Sequence, residues 1–235
     1  MIRYRHILRL ETSVLLCIGA IGGLIWAFVS IAEEVMEGET RKWDEMLLLA
    51  FRDGADPSRP WGPYWVQEMA RDLTALGGIA VLVLLTAAAI GYLLLVGKKH
   101  SALVVLLAVA GGQLCSTLLK LGFDRARPDL VPHGTLVSTA SFPSGHAMMA
   151  AVTYLTLGAL LANVHSPMRV KGYLLALALV LTLLVGMSRI YLGVHWPTDV
   201  AAGWAVGAAW ALLSSLAMRW LQKRGDVERP RATDV

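Results

Sequence analysis

Six long apolar stretches dominate this sequence and limit what the chain can fold into. They cover residues 12–32, 74–97, 101–119, 147–164, 172–188 and 200–218. Each has close to the roughly 17 to 25 apolar residues that an α-helix needs to cross the hydrocarbon layer of a bilayer. Charged residues make up only 16% of the chain, whereas about 25% is usual in soluble domains. The sequence therefore predicts an all-α, polytopic membrane protein with six transmembrane helices.

The apolar stretches leave no region large enough for a separate soluble core. We therefore expect a single membrane domain over residues 1–225, which includes a long loop over residues 33–73. The last ten residues, 226–235, are polar and contain Pro230, which predicts a disordered tail. The first apolar stretch is longer than the 7 to 15 residues of a typical signal-peptide core, so we interpret it as an uncleaved anchor.

The distribution of basic residues predicts the orientation in the membrane. Twelve of the 21 Lys and Arg residues lie in the two tails and in the turns near residues 98 and 170, which places both termini in the cytoplasm. The loop 33–73 and the connections after the third and fifth spans then face outward. This topology fits a bacterial inner membrane with the outward side facing the periplasm or the exterior. Because the basic residues are spread between apolar runs, we expect no nucleic-acid partner.

The long outer loop carries aromatic residues that suit the headgroup level of a bilayer. They are Trp43, Trp61, Tyr64 and Trp65. Two interpretations are open. The loop is either an interfacial lid, with a short amphipathic helix over residues 65–73, or a tether with aromatic anchors.

Three polar clusters stand at predicted helix ends on the outer side, where ionisable residues are costly and therefore candidates for function. They cover residues 120–128, 142–146 and 188–199. Ser144 and Gly145 precede a helix start, where free N–H groups and the helix dipole attract an anion. Three cations, Lys120, Arg127 and Arg189, suit the oxygens of a phosphate group. The clusters therefore predict a phosphate site.

Two histidines distinguish an enzyme from a binding protein. His195 and Asp199 are four residues apart, a spacing that lets the carboxylate hold one ring nitrogen protonated while the other acts as a nucleophile. His146 is a candidate general acid for the leaving oxygen. The other carboxylates nearby, Asp124 and Asp129, alternate with arginines that are expected to neutralise them. We therefore expect neither a metal nor any other cofactor.

Together the three clusters closely resemble the signature of the type-2 phosphatidic acid phosphatase superfamily. The matching positions are Lys120, Arg127, Pro128, Pro143, Ser144, Gly145, His146, Ser188, Arg189, His195 and Asp199. The resemblance implies a phosphohistidine intermediate on His195, oriented by Asp199, with His146 protonating the leaving group and water releasing phosphate. It also implies that the phosphoryl oxygens are bound by Lys120, Arg127, Ser144, Gly145 and Arg189.

These expectations combine into a metal-independent membrane phosphatase that acts on a lipid phosphate monoester or diphosphate. Polyprenyl (undecaprenyl) diphosphate, phosphatidylglycerophosphate, phosphatidic acid and the phosphate of lipid A all fit, and the sequence does not choose among them. It does not specify an oligomeric state either. One alternative is a phosphotransferase of the same fold, in which a second lipid accepts the phosphoryl group. The other is a non-catalytic membrane protein that binds an anion or a lipid.

Overall fold

The computed structural model describes residues 2–133, 139–164 and 167–228. Within these ranges the chain forms eight α-helices and no β-strand. The helices are α1 (Ile2–Glu37), α2 (Arg41–Leu49), α3 (Tyr64–Ala75), α4 (Ile79–Leu95), α5 (Lys99–Gly122), α6 (Gly145–Val164), α7 (Met168–Tyr191) and α8 (Pro197–Arg224).

Five helices, α1, α5, α6, α7 and α8, are long and apolar enough to cross a membrane, and the number is six if α3 and α4, which are bent by 48° at their junction, count as one span. The predicted all-α fold with several spans is confirmed. The predicted second span is wrong at its start, because α4 begins at Ile79 and not at residue 74. Gly77 and Gly78 separate α3 from α4, and glycine is a poor helix former. A Cβ on Gly77 would contact Val185 and the backbone of His146, so glycine lets the break itself pack closely on α6 and α7.

Helix α6 lies at the centre of the bundle and packs against α4, α5, α7 and α8. Small residues bring α6 and α8 close together. A Cβ added at Gly203 would lie 2.7 Å from the carbonyl oxygen of Ser144, and one at Gly207 would lie 2.5 Å from that of Met148. This close approach brings the N-termini of α6 and α8 together, and both carry predicted site residues.

The loop over residues 33–73, which is predicted to face outward and is called the outer loop below, is folded onto the ends of the membrane helices. Its segment predicted as an amphipathic helix is helical, as α3, and the four aromatic residues of the loop are 63 to 70% exposed. Arg52 donates a hydrogen bond of 3.0 Å to the carbonyl oxygen of Tyr191, whose hydroxyl donates one of 2.8 Å to the carbonyl oxygen of Trp61. These contacts attach the loop to the C-terminus of α7, close to the predicted nucleophile.

The predicted tail begins with a short ordered segment. Glu228 lies against the N-terminus of α5 and accepts hydrogen bonds from the backbone of His100 and Ser101. Residues 229–235, the rest of the segment predicted to be disordered, lie outside the described residues. The end of α8 and the start of α5 therefore meet at the end of the bundle opposite the predicted site.

Candidate active site

The predicted nucleophile, His195, lies in the turn between α7 and α8 and is 2% exposed. Its Nδ1 is 3.3 Å from a carboxylate oxygen of Asp199, and its Nε2 is 3.3 Å from Nη1 of Arg127. Because arginine only donates hydrogen bonds, these contacts assign the proton to Nδ1 and the lone pair to Nε2. Burial lowers the pKa of His195 to about 4, although Asp199 opposes this shift. At neutral pH the ring is therefore uncharged, and the lone pair on Nε2 faces Arg127.

The carboxylate of Asp199 is fully buried, and both of its oxygens accept hydrogen bonds. It lies in the first turn of α8 and accepts a hydrogen bond of 2.9 Å from the backbone N–H of Trp196, as a capping residue does. The same oxygen accepts the hydroxyl of Ser141, and the other oxygen accepts Nη1 of Arg125 at 2.6 Å. These bonds fix the orientation of the carboxylate that holds Nδ1 of His195.

Three cations from separate elements line one cavity with both histidines. Lys120 donates to the carbonyl oxygen of Ala140 at 2.8 Å, and Arg127 donates to that of Val194 at 2.7 Å. Arg189, 3% exposed, donates to the hydroxyl of Thr74 at 2.9 Å. Each cation is thus oriented by a neutral oxygen and keeps further donors for an anion.

Two polar atoms beside these cations are buried and have no hydrogen-bond partner within the described residues. They are Nε of Arg189 and Oγ of Ser144. Leaving a buried donor unsatisfied costs about 1 to 3 kcal/mol, and more when the group is charged. Both donors are therefore suited to a bound anion.

The N-terminus of α6 contributes the anion cradle that the sequence predicts. The helix begins at Gly145, and the first N–H groups of a helix have no partner inside it. The backbone N–H of Ser144 instead donates to the carbonyl oxygen of Asp199 at 2.9 Å, which joins the cradle to α8. A Cβ on Gly145 would lie 3.3 Å from Cε of Lys120, so glycine leaves room for that side chain.

The structure brings most of the predicted site residues to a single cavity and places the others directly behind it. Lys120, Arg127, Gly145, His146, Arg189 and His195 line the cavity. Ser144 and Asp199 are fully buried behind this lining.

Sequence reasoning missed four residues that hold the site together. They are Arg125, Ser141, Asp44 and Thr74. The expectation that Arg125 neutralises Asp124 or Asp129 is wrong, because its two ends pair with Asp199 and Asp44, each at 2.6 Å. The position of Arg125, two residues before Arg127, was the available signal for a role in the site. Nothing in the sequence connects it to the outer loop.

The cavity extends from the site between α4 and α5 and has a volume of about 980 Å³. Its walls away from the site are mostly apolar. They are formed by Ile79, Leu82, Val83, Ala87, Ile90, Leu106, Val109, Ala110, Leu121 and Met149. A charged pocket that continues into an apolar groove between two membrane helices suits a molecule with a phosphate head and a hydrocarbon tail.

Metal ligands are sparse around the site. Among the residues that the structure describes, no three His, Cys, Asp or Glu side chains are grouped so that they could share a metal ion. The contacts of the site are instead made by arginine, lysine and histidine. Metal independence of the reaction stays a prediction.

Comparison with known proteins places this site in a family. The PAP2 superfamily matches residues 101–225. Phosphatidylglycerophosphatase B of Bacillus subtilis is 36% identical over 147 residues, which is 61% of this chain and 70% of that protein. Undecaprenyl-diphosphatase of Sulfolobus acidocaldarius is 39% identical over 74 residues, 32% of each chain.

A solved structure is similar over most of the fold. It is the crystal structure of a transmembrane PAP2-type phosphatidylglycerolphosphate phosphatase from Bacillus subtilis, with a TM-score of 0.72 and 28% identity. The similarity covers 90% of this chain and 98% of the other. The structural similarity therefore extends beyond residues 101–225, the region matched by the superfamily.

Proposed function

Because this chain belongs to the PAP2 superfamily of membrane lipid phosphatases, we propose that it hydrolyses a lipid phosphate monoester or diphosphate through a phosphohistidine on His195, without a metal. The observation that carries this proposal is the geometry at His195. Its Nδ1 faces Asp199, and its Nε2 lies at a cavity lined by Lys120, Arg127 and Arg189. A nucleophile surrounded by cations matches phosphoryl transfer, which depends mainly on positioning and charge stabilisation.

In the first step, Nε2 of His195 attacks the phosphorus atom and the bond to the leaving oxygen breaks. His146 in its protonated form gives that oxygen a proton, so the lipid leaves as an alcohol or as a lipid monophosphate. The imidazole becomes positively charged as the phosphorus–nitrogen bond forms. Asp199 stabilises this charge through Nδ1–H.

In the second step, water attacks the phosphorus atom from the side that the leaving group vacated. His146, now neutral, takes a proton from that water, and the electrons of the phosphorus–nitrogen bond return to Nε2. Inorganic phosphate leaves and His195 is regenerated. Throughout, Lys120, Arg127 and Arg189 offset the charge on the phosphoryl oxygens, with the hydroxyl of Ser144 and the N–H groups at Gly145 as further donors.

The proposed setting is the outer leaflet, with the lipid tail in the groove between α4 and α5. The groove supports this because the site lies at one of its ends and its walls are apolar. The count of basic residues supports an outward-facing site. A lipid would then reach the phosphate cradle without leaving the bilayer.

The test is phosphate release by purified protein in detergent with excess EDTA, from a panel of lipid phosphates and diphosphates. Wild type should release phosphate and His195→Ala should not. His100→Ala is the matched control, because His100 lies at the other end of the bundle beside Glu228, and it should retain normal rates. A requirement for added magnesium would contradict the metal-free site, and normal turnover by His195→Ala would contradict the nucleophile.

Trapping the intermediate distinguishes hydrolysis from transfer. Wild type quenched during turnover of a radiolabelled lipid phosphate should carry label on histidine, and the label should then appear as free phosphate. Label that moves instead to a second lipid would favour the phosphotransferase. Binding of the lipid without product would favour the non-catalytic alternative.

A further inference from the structure

A buried carboxylate of the outer loop is bonded to the catalytic region. Asp44 lies in α2 and is 1% exposed. One of its oxygens accepts the backbone N–H of Thr198 at 2.9 Å, and the other accepts the Thr198 hydroxyl at 2.7 Å and Nη2 of Arg125 at 2.6 Å. A carboxylate is costly to bury unless it is paired and hydrogen-bonded. Asp44 is therefore directed to the start of α8, directly beside Asp199.

Arg125 joins this carboxylate to the one that orients the nucleophile. Its Nη1 donates to Asp199 at 2.6 Å and to the Thr198 hydroxyl at 2.8 Å. Its Nη2 donates to Asp44 and, at 3.2 Å, to the hydroxyl of Thr40. One guanidinium group is thus shared between two buried carboxylates, and a lysine with its single nitrogen would not reproduce this geometry.

We propose that Asp44 is a positioning residue for the His195–Asp199 pair and acts through Arg125. This inference rests on the proposed function. By sharing the charge of Arg125, Asp44 leaves more of the negative charge of Asp199 available to the imidazolium that forms during catalysis. It also holds Arg125 in place, so that one oxygen of Asp199 stays bound and the other faces His195. The outer loop thereby belongs to the catalytic framework.

The test compares Asp44→Asn with Asp53→Asn. Asp53 lies in the same loop and is exposed, and its carboxylate accepts a hydrogen bond of 2.9 Å from the backbone N–H of Ala55, two residues further along. Asp44→Asn should lower kcat at least tenfold and change KM by less than twofold, because the substrate cavity does not include it. Asp53→Asn should leave both constants unchanged. A folded Asp44→Asn protein with wild-type kcat would overturn the proposal.

A double variant separates positioning from general support of the fold. If Asp44 acts through the charge of Asp199, Asp44→Asn should cause no further loss of kcat in an Asp199→Asn background. A decrease of kcat by the same factor in both backgrounds would overturn the proposal.

Should Asp44→Asn fail to fold, Arg125→Lys provides the second test. Wild-type kcat in Arg125→Lys would likewise overturn the proposal, whereas absence of turnover in wild type itself would defeat the proposed function.

A second observation, in the groove, bears independently on the class of lipid. Gln113 and Thr117 of α5 line the cavity. Along the axis of α5 they lie about 10 and 4.5 Å from Lys120, because each helical residue adds about 1.5 Å. Within the described residues, the Gln113 amide makes a single long contact, of 3.5 Å, with the Thr117 hydroxyl, which itself donates to the Gln113 carbonyl oxygen at 3.0 Å. Across the groove the hydroxyl of Thr86 is satisfied by its own helix, at the carbonyl oxygen of Leu82.

An amide in the hydrocarbon region is costly unless it finds a partner. The geometry points to the ester carbonyl of an acyl chain, bound by the Gln113 amide while the phosphate occupies the cradle. A glycerolipid phosphate has such acceptors a few bonds from its phosphate, whereas a polyprenyl chain has none. Gln113 would therefore favour glycerolipid phosphates as substrates, which also rests on the proposed function.

The probe is a pair of glycerolipid phosphates with equal chain lengths, one with ester-linked and one with ether-linked chains. The quantity measured is kcat/KM for the ester-linked lipid divided by kcat/KM for the ether-linked lipid. Gln113→Leu should lower this ratio about fivefold, which corresponds to the net free energy of one neutral hydrogen bond. Thr86→Val, in the same groove, should leave the ratio unchanged. An unchanged ratio in Gln113→Leu, or turnover of a polyprenyl diphosphate by a wild type that is silent on both glycerolipids, would overturn this inference. Silence of wild type on every lipid phosphate and diphosphate of the panel would defeat the proposed function instead.

Discussion

A carboxylate caps a helix start beside a histidine at both ends of this bundle, yet only one end has the means for catalysis. At the outer end, Asp199 accepts the backbone N–H of Trp196 and faces His195. At the opposite end, Glu228 accepts the backbone N–H groups of His100 and Ser101 and also pairs with the ring of His100 at 2.8 Å. In both places a carboxylate stabilises the positive end of a helix.

The two pairs differ in burial and in their neighbours. The side chains of His195 and Asp199 are 2% and 0% exposed, whereas those of His100 and Glu228 are 52% and 26% exposed. Three cations line a cavity of about 980 Å³ beside the outer pair, whereas the pocket beside Glu228 has a volume of about 40 Å³. A histidine and a carboxylate at a helix start are therefore insufficient. The burial of His195 and the cluster of cations that we propose to bind phosphate make the difference.

The largest expected contrast comes from removing one charge at each end. Asp199→Asn should lower kcat roughly 10³- to 10⁴-fold, because an amide no longer stabilises the imidazolium and can hold the wrong tautomer of His195. Glu228→Gln should change kcat less than twofold. Both are measured as phosphate release under saturating lipid. Retention of a tenth of wild-type kcat by Asp199→Asn would remove the distinction between the two ends.

His146 provides the next test, because it lines the same cavity as His195. His146→Ala should lower the rate roughly 10²- to 10⁴-fold for a lipid alkoxide, which needs a proton to leave. The loss should be much smaller for an aryl phosphate whose leaving group is already a weak base. The comparison is made by measuring kcat/KM for both substrates. An equal loss for both would show that His146 acts other than as a general acid.

The cation cluster is tested by exchanging a guanidinium for an ammonium group. Arg189→Lys keeps the charge but loses the unpartnered Nε donor, so kcat/KM should fall roughly 10- to 100-fold, as expected for one hydrogen bond to a charged group. Arg71→Lys is the control, since Arg71 lies on the outer loop and pairs with the exposed Glu68. Equal kcat/KM for the two variants would show that charge alone matters at residue 189.

The features that could be predicted are those encoded within short segments. Apolar length predicted the membrane spans, and local spacing with a family resemblance predicted the residues that the structure gathers around one cavity. The start of α4 was misplaced, because the break at Gly77 depends on close packing against Val185 and His146.

Long-range pairs were the main omission. Asp44, Arg125 and Asp199 lie in three distant segments, and only the packing of α2 against α8 brings them together. Charge alone suggested nearer partners for Arg125. The role of the outer loop was open for the same reason, because its connection to the site is tertiary and leaves no periodic pattern in the sequence.

The smallest effect is expected at Glu228 and concerns stability. Burial alone would raise the pKa of Glu228, but hydrogen bonds from the backbone of His100 and Ser101 and from the His100 ring lower it to about 2, from an ordinary value of 4.5. A depressed pKa means that the carboxylate stabilises the fold above about pH 4.5 and that this contribution is lost as the pH falls toward 2. Glu228→Gln should therefore cost about 1 kcal/mol at pH 7, as loss of a helix cap does. Its Tm in detergent should approach that of wild type between pH 4.5 and 3, whereas a gap that stays constant over this range would show that the charge of Glu228 does not stabilise α5.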